Sequence, residues 1–216
     1  QYLVHDHWRQ FPDVDRSSHY LLALIYTILI ISSVTGNGLV VWIFSTSKSL
    51  RTPSNMFVIN LALFDMAMMF EMPHLVINSF YQRMLGNELG CDIYGVLGSL
   101  SGIGGAITNA VIAYDRYKTI SSPIDGRINR AQATILVIFT WLYALPFTVF
   151  PLTKSWGRFV PEGFLTTCSF DFLSDDIKTF VLCITVWSYV IPMSLICVFY
   201  LKLFSAVRHH EKMLKE

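Results

Sequence analysis

The chain is predicted to be an all-α membrane protein, and three observations predict it. Five stretches, residues 20–44, 54–79, 93–114, 131–152 and 180–204, are long, apolar and nearly free of charge. A hydrocarbon core of ~30 Å takes roughly 20 apolar residues of helix, so each stretch is long enough to cross. Apolar residues make up 53% of the chain and charged residues 14%. A soluble domain averages about a quarter charged, so lipid is the solvent for most of this surface. The ten-residue alternation of membrane β-strands is absent, which leaves helices to satisfy the backbone in lipid.

Residues 1–19 read as an outer N-terminal segment, 20–204 as five spans with their loops, and 205–216 as the start of an inner loop. The chain opens on Gln1, and the fifth span runs on into a charged helical stretch, so a piece of a longer protein is expected. With the N-terminus outside, the inner segments hold ten Lys and Arg (Lys48, Arg51, Arg116, Lys118, Arg127, Arg130, Lys202, Arg208, Lys212, Lys215) and the outer ones six. That excess supports this orientation. The net charge of +1 argues against a nucleic-acid partner. No Gly-rich phosphate loop, HExxH or CxxC pattern occurs.

The first span carries Asn37 between Gly36 and Gly38. The second carries Asp65 and Glu71. An Asp at bilayer depth costs at least ~2.5 kcal/mol if it faces lipid, so Asp65 is expected to face the bundle, with Asn37 as its partner. Six residues turn a helix by about 600°, which puts Asp65 and Glu71 on different faces. Satisfied structural polars are one reading of the pair; ion coupling by Asp65 and ligand tuning by Glu71 are the other. The third span starts near Cys91 and ends at Asp115-Arg116-Tyr117. The fourth carries Trp141 and Pro146, and the fifth Pro192 and Tyr200. A mid-span proline removes a backbone donor and bends its helix. Cys91 and Cys168 both fall outside, in an oxidising compartment, where a disulfide or two unpaired thiols can stand. Cys183 and Cys197 lie within the fifth span.

Taken in order, Gly36-Asn37, Leu61-Ala62-x-x-Asp65, Cys91 with Asp115-Arg116-Tyr117, Trp141, and Pro192 with Tyr200 resemble the rhodopsin-type G-protein-coupled receptors. The loops resemble those of arthropod visual opsins: Trp156 to Asp171, Leu89 to Gly95, and His210-Glu211-Lys212. The run from Ser99 to Asn109 is similar to the short-wavelength insect branch. The resemblance implies a seven-helix receptor bundle of which this chain supplies the first five helices. It also implies a Cys91–Cys168 disulfide.

The resemblance further implies an 11-cis-retinal or 3-hydroxy-retinal chromophore, held as a protonated Schiff base by a lysine of a seventh helix beyond Glu216. The vertebrate counterion position is Tyr94 here, and the invertebrate one is Glu162, six residues before Cys168. A cation in a low-dielectric pocket needs such an anion to keep its pKa high. The pocket is expected to use Tyr94, Ser99, Gly102, Ile103, Phe170, Ile184, Ser188 and Tyr189, with Glu71 tuning the spectrum; ordinary helix packing is the alternative for each. The stretch from Asp171 to Pro192 is slightly shorter than in insect opsins, so the register of the fifth helix is anchored at Pro192.

Asn37, Asp65, Asp115, Arg116, Tyr117, Pro192 and Tyr200 are implied switch residues, with Arg116 tethered to Asp115 at rest. Implied partners are the bilayer, a heterotrimeric G protein of the phospholipase-C-coupled type, and arrestin, in a rhabdomeric membrane. Insect ultraviolet opsins have a Lys where Glu71 stands, so the pigment is expected to be blue-sensitive, and no enzymatic activity is expected. An amine receptor is disfavoured, because Gly98, Ser99 and Leu100 offer no Asp. A proton-coupled transporter built on Asp65 and Glu71 would call for an internal repeat, and none is visible.

Overall fold

Apolar helices need defined ends, and the local sequence supplies them. In the computed structural model, which describes residues 4–122 and 126–213 without the side chains of 209, 210, 212 and 213, a short α1 (Asp6–Arg9) precedes the spans. Asp15 caps α2 (Arg16–Thr46), its carboxylate accepting from the Ser17 amide. A 3₁₀ turn at Lys48–Leu50 leads to α3 (Pro53–Tyr81), where Thr52 is the N-cap and Pro53 fits the first helical position. Gln82, in the left-handed region at φ 54°, ends α3. Next come α4 (Glu88–Ser121) and α5 (Arg130–Leu152), the latter opened by a capping box of Asn129 and Gln132. In the His210–Lys212 motif the side chains of 210 and 212 lie outside those described, as do the last three residues of the 205–216 segment and 123–125 of the inner loop.

The fifth span is one rod with a wide turn in it. Helix α6 (Lys178–Thr185) passes through a π turn at Val186–Val190 into α7 (Ile191–Met213). The Ile191 amide reaches back to Val186 O, and Pro192 immediately after it has no amide to give. Helix α7 extends well past residue 204, so most of the segment expected to begin a loop is helix. Among the described residues, five helices are long and apolar enough to cross a membrane.

Helix α4 is the hub. It packs on α3, α5 and α7, while α2 packs on α3. Its glycines permit the approach: a Cβ on Gly104 would lie 2.3 Å from the Phe64 ring, and one on Gly95 2.2 Å from Phe159. Replacing Gly104 by Leu should therefore destabilise the bundle by at least ~1–3 kcal/mol. Thermal unfolding of the full-length receptor in detergent would show this as an earlier melt, and an unchanged melt would refute the packing. Beside that contact, Asn60 joins three helices. Its amide donates to Thr108 and Thr140 hydroxyls, both at 3.0 Å, and its carbonyl accepts from Trp141 Nε1 at 2.8 Å. Phe64 stacks on Trp141 at 4.3 Å.

One element has no counterpart in the periodicity reading. The loop after α5 folds as an antiparallel hairpin, β1 (Phe159–Glu162) with β2 (Thr167–Phe170), pairing Pro161 with Cys168 and Glu162 with Thr167. Cys168 is bonded to Cys91 in the first turn of α4 across 77 residues. Closing a loop of that length contributes about 4 kcal/mol in a chain-entropy account. The bond holds the hairpin against the outer ends of the helices.

Candidate functional site

Between the hairpin and the outer halves of α2, α3 and α4 lies a cavity of about 290 Å3. Glu71, Tyr94, Ser99, Glu162 and Phe170 face it, and so do Tyr26, Gly98 and Phe159. Each comes from a different local cause. Glu71 and Tyr94 sit on the bundle faces of α3 and α4, 5% and 8% exposed. Glu162 ends β1, where pairing with Thr167 fixes its backbone. Phe170 closes β2, in contact with Phe159 and Phe180 at centroid distances of 5.3 and 5.6 Å.

Glu71 is the outlier in this cavity. Its Oε2 is buried and has no hydrogen-bond partner among the described residues. Room for it comes from Gly98, where a Cβ would stand 2.9 Å from that oxygen. An unpaired buried acceptor is costly unless something pairs with it, so the cavity suits a ligand with a donor or a positive charge. Two carboxylates and a phenol around one half-open space form a cation- or proton-binding set.

The other expected pocket residues divide. Ser99 donates to Thr148 Oγ1 at 3.2 Å and also faces the cavity. Ile103 and Ile184 lie in the adjoining apolar cluster with Phe147, Tyr143 and Phe180. There Tyr143 stacks on Trp187 at 4.3 Å and donates to its carbonyl at 2.7 Å. The cavity does not include Gly102, which is exposed with open space at its Cβ position, or Tyr189, which is 62% exposed. Ser188 turns its hydroxyl back to Ile184 O at 2.7 Å. Gly98, Phe159 and Tyr26 were missed from sequence. A Phe three residues before Glu162 in a β-forming stretch is a signal for Phe159; nothing in the sequence singles out Tyr26.

Two expected pairs are not formed. Asn37 donates to Ser33 Oγ within its own helix at 3.0 Å, and Asp65, half-buried, has no hydrogen bond among the described residues. A neighbour four residues away on the same helix is in reach without any interhelical fit. Arg116 is exposed and makes no ion pair with Asp115; buried Asp115 instead accepts from the Ser54 hydroxyl of α3 at 3.0 Å. Adjacent helical residues point about 100° apart, so one faces α3 and the other water. Tyr117 stacks near Phe199 of α7 at 6.2 Å, under the Lys202 ammonium at 5.6 Å, while Tyr200 is 49% exposed. Pro192 is buried.

The hairpin is locked a second time from its far end. Buried Asp171 accepts from Arg158 Nε at 2.8 Å, from the Ser174 hydroxyl at 2.7 Å and from the amides of Leu173 and Ser174, and it forms an ion pair with Arg158 Nη2 at 2.7 Å. Burial works to raise its pKa, but these donors outweigh burial and hold the carboxyl below its ordinary 3.8. A folded-state pKa depressed in this way adds stability that is complete above about pH 4 and is lost as pH falls through the folded value. Replacing Asp171 by Asn should cost ~1.5–3 kcal/mol at pH 7. Melting the two proteins side by side would show a gap that closes on acidification; a gap independent of pH would contradict the assignment.

Comparison with known proteins puts this geometry in context. Residues 36–216 match the family "7 transmembrane receptor (rhodopsin family)". The chain is 70% identical to Opsin-3 of Manduca sexta over 100% of its own length, and 61% identical to the blue-sensitive opsin of Apis mellifera over 99%. It spans 57% of each of those relatives. The crystal structure of squid rhodopsin superposes with a TM-score of 0.92 at 32% identity, over 98% of this chain and 59% of that one. The five helices, the disulfide-pinned hairpin and these matches agree: the chain belongs to the rhodopsin family of seven-transmembrane receptors, multi-pass membrane proteins that are receptors and not enzymes, and within that family it is similar to the insect opsins.

Proposed function

We propose that the whole receptor is a light sensor that binds 11-cis-retinal or its 3-hydroxy form and activates a heterotrimeric G protein, with blue sensitivity. The observation that carries this reading is the cavity with Glu71, Tyr94 and Glu162 around it, in a chain similar to opsins. The residues fit such a group: buried Glu71 Oε2 lacks a donor, two carboxylates can face a cationic linkage, and an apolar cluster adjoins. When bound, the chromophore supplies light absorption and a change of shape.

The chain's own residues supply the rest. Glu162, held at the end of β1, places negative charge at the cavity, and the disulfide keeps it there. The hairpin covers the outer side and limits water. On the inner side, α4 and α7 meet through Tyr114, Tyr117 and Phe199, contacts that must change for the inner face to open. A ligand shifts that equilibrium only by its difference in affinity for the two arrangements. Coupling to a phospholipase-C-type G protein, later capture by arrestin and residence in the rhabdomeric membrane belong to the same proposal.

The test is direct. Full-length receptor incubated with 11-cis-retinal should gain a visible band in the blue and then stimulate nucleotide exchange in light. Absence of a band, or a band in the ultraviolet, overturns the reading. Glu162→Gln removes an anion that favours the charged form, so the pH at which the band is lost should fall by about 1–3 units. An unchanged titration would remove Glu162 from the role.

A further inference from the structure

The wide turn of the fifth span leaves one backbone acceptor with no partner in its own helix. In an α winding the Trp187 carbonyl would accept from the amide four residues on, that of Ile191. Here the Ile191 amide goes to Val186 O instead. A π winding would offer the amide five residues on, but that residue is Pro192, which has none. The turn lies inside a membrane span, where no water is at hand to replace the missing donor.

The fourth span supplies it. The Tyr143 hydroxyl of α5 donates to Trp187 O at 2.7 Å. In return Trp187 Nε1 donates to Tyr143 O at 3.0 Å, and the two rings stack with 12° between their planes. The hydroxyl is required in only one of two windings. If the turn closed to α, the Ile191 amide would return to Trp187 O and the hydroxyl would be redundant. An interaction made in one arrangement alone shifts the balance between the two.

We infer that the Tyr143 hydroxyl selects the winding of the fifth span: it holds the π turn open, and without it the span rewinds to α. The choice reaches beyond the turn. A π turn holds one residue more than an α turn, so closing it rotates α6 against α7 by about 100°. Phe180 and Ile184 of α6 pack in the outer apolar cluster, and Phe180 touches Phe170 at the wall of the cavity. Phe199 of α7 packs on Tyr114 and Tyr117 near the inner face. No such rotation keeps both sets, so the winding ties the outer packing to the inner. The inference stands apart from the light-sensing proposal, since neither it nor its test uses a chromophore.

The test is a distance along the fifth span. Leu182 and Val198 are 65% and 45% exposed, one on each side of the turn. Spin labels are attached through Leu182→Cys and Val198→Cys in full-length receptor in nanodiscs, with Cys183, Cys197 and any other free thiol replaced by Ala. Their separation is read by double electron–electron resonance. The labels stand roughly 60° apart around the axis with the π turn and roughly 160° apart without it, so rewinding lengthens the distance by roughly 3–5 Å. Tyr143→Phe keeps the ring and orphans the carbonyl, so the ratio of long to short form should rise about 5- to 150-fold. Trp187→Phe keeps the backbone carbonyl that the hydroxyl serves, and its distance should stay that of wild type. A Tyr143→Phe receptor that shows only the wild-type distance overturns the inference. A Trp187→Phe receptor that lengthens as much also overturns it, by assigning the turn to ring packing rather than to the hydroxyl.

Discussion

Arg116→Ala in the full-length receptor should leave the absorbance spectrum in place and abolish light-driven nucleotide exchange on the G protein. The separation of the two effects follows from the helix. From Tyr94 to Arg116 along α4 is 22 residues, roughly 33 Å at 1.5 Å per residue. A charge that far from the cavity and exposed to water is screened within about 8 Å at physiological salt, so it cannot tune the pigment. Its fold contribution is small for the same reason: it makes no ion pair among the described residues, and Asp115 is already served by Ser54. What the change removes is an exposed cation at the inner mouth of the bundle, the surface a G protein has to meet. The measurement is photon-triggered nucleotide exchange with a spectrum taken on the same sample. Normal exchange refutes the role, and a lost pigment would show that Arg116 serves the fold instead.

Glu71→Lys should carry the pigment from the blue into the ultraviolet. Glu71 is 5% exposed, at the cavity that holds Tyr94 and Glu162. A Lys there puts a cation where the proposal needs a chromophore cation, and like charges at short range disfavour the protonated form. At a 4 Å separation and an effective dielectric of 20 the penalty is ~4 kcal/mol, equivalent to about three pH units. That is enough to deprotonate the linkage at neutral pH. Absorbance after reconstitution with 11-cis-retinal reads the result. A variant that still peaks in the blue, or a wild-type pigment already in the ultraviolet, sinks the assignment.

Composition and periodicity were sufficient for the spans, because a membrane imposes one requirement at every position: an apolar exterior with the backbone satisfied inside the segment. Helices α2, α3 and α5 end within about four residues of the expected limits, whereas α4 and the fifth span run on beyond theirs. The Cys91–Cys168 pair was legible once the loops resembled a family, and the structure forms it. Glu71, Tyr94, Ser99, Glu162 and Phe170 were named from sequence and do share a cavity.

The sequence by itself determined the solvent, the number and place of the spans, and the family. Only the tertiary structure decided which polar groups meet. Asn37 turned to Ser33, Asp115 to Ser54, and Arg116 to water, because partner choice depends on helix rotation and on competitors that spacing does not encode. The hairpin was likewise invisible to a helical period, since its four-residue strands are held by pairing and by the disulfide. Two glycines let the walls of the cavity close up: Glu71 packs against Gly98 and Phe159 against Gly95. Those are contacts between residues 27 and 64 positions apart, and only packing brings them together.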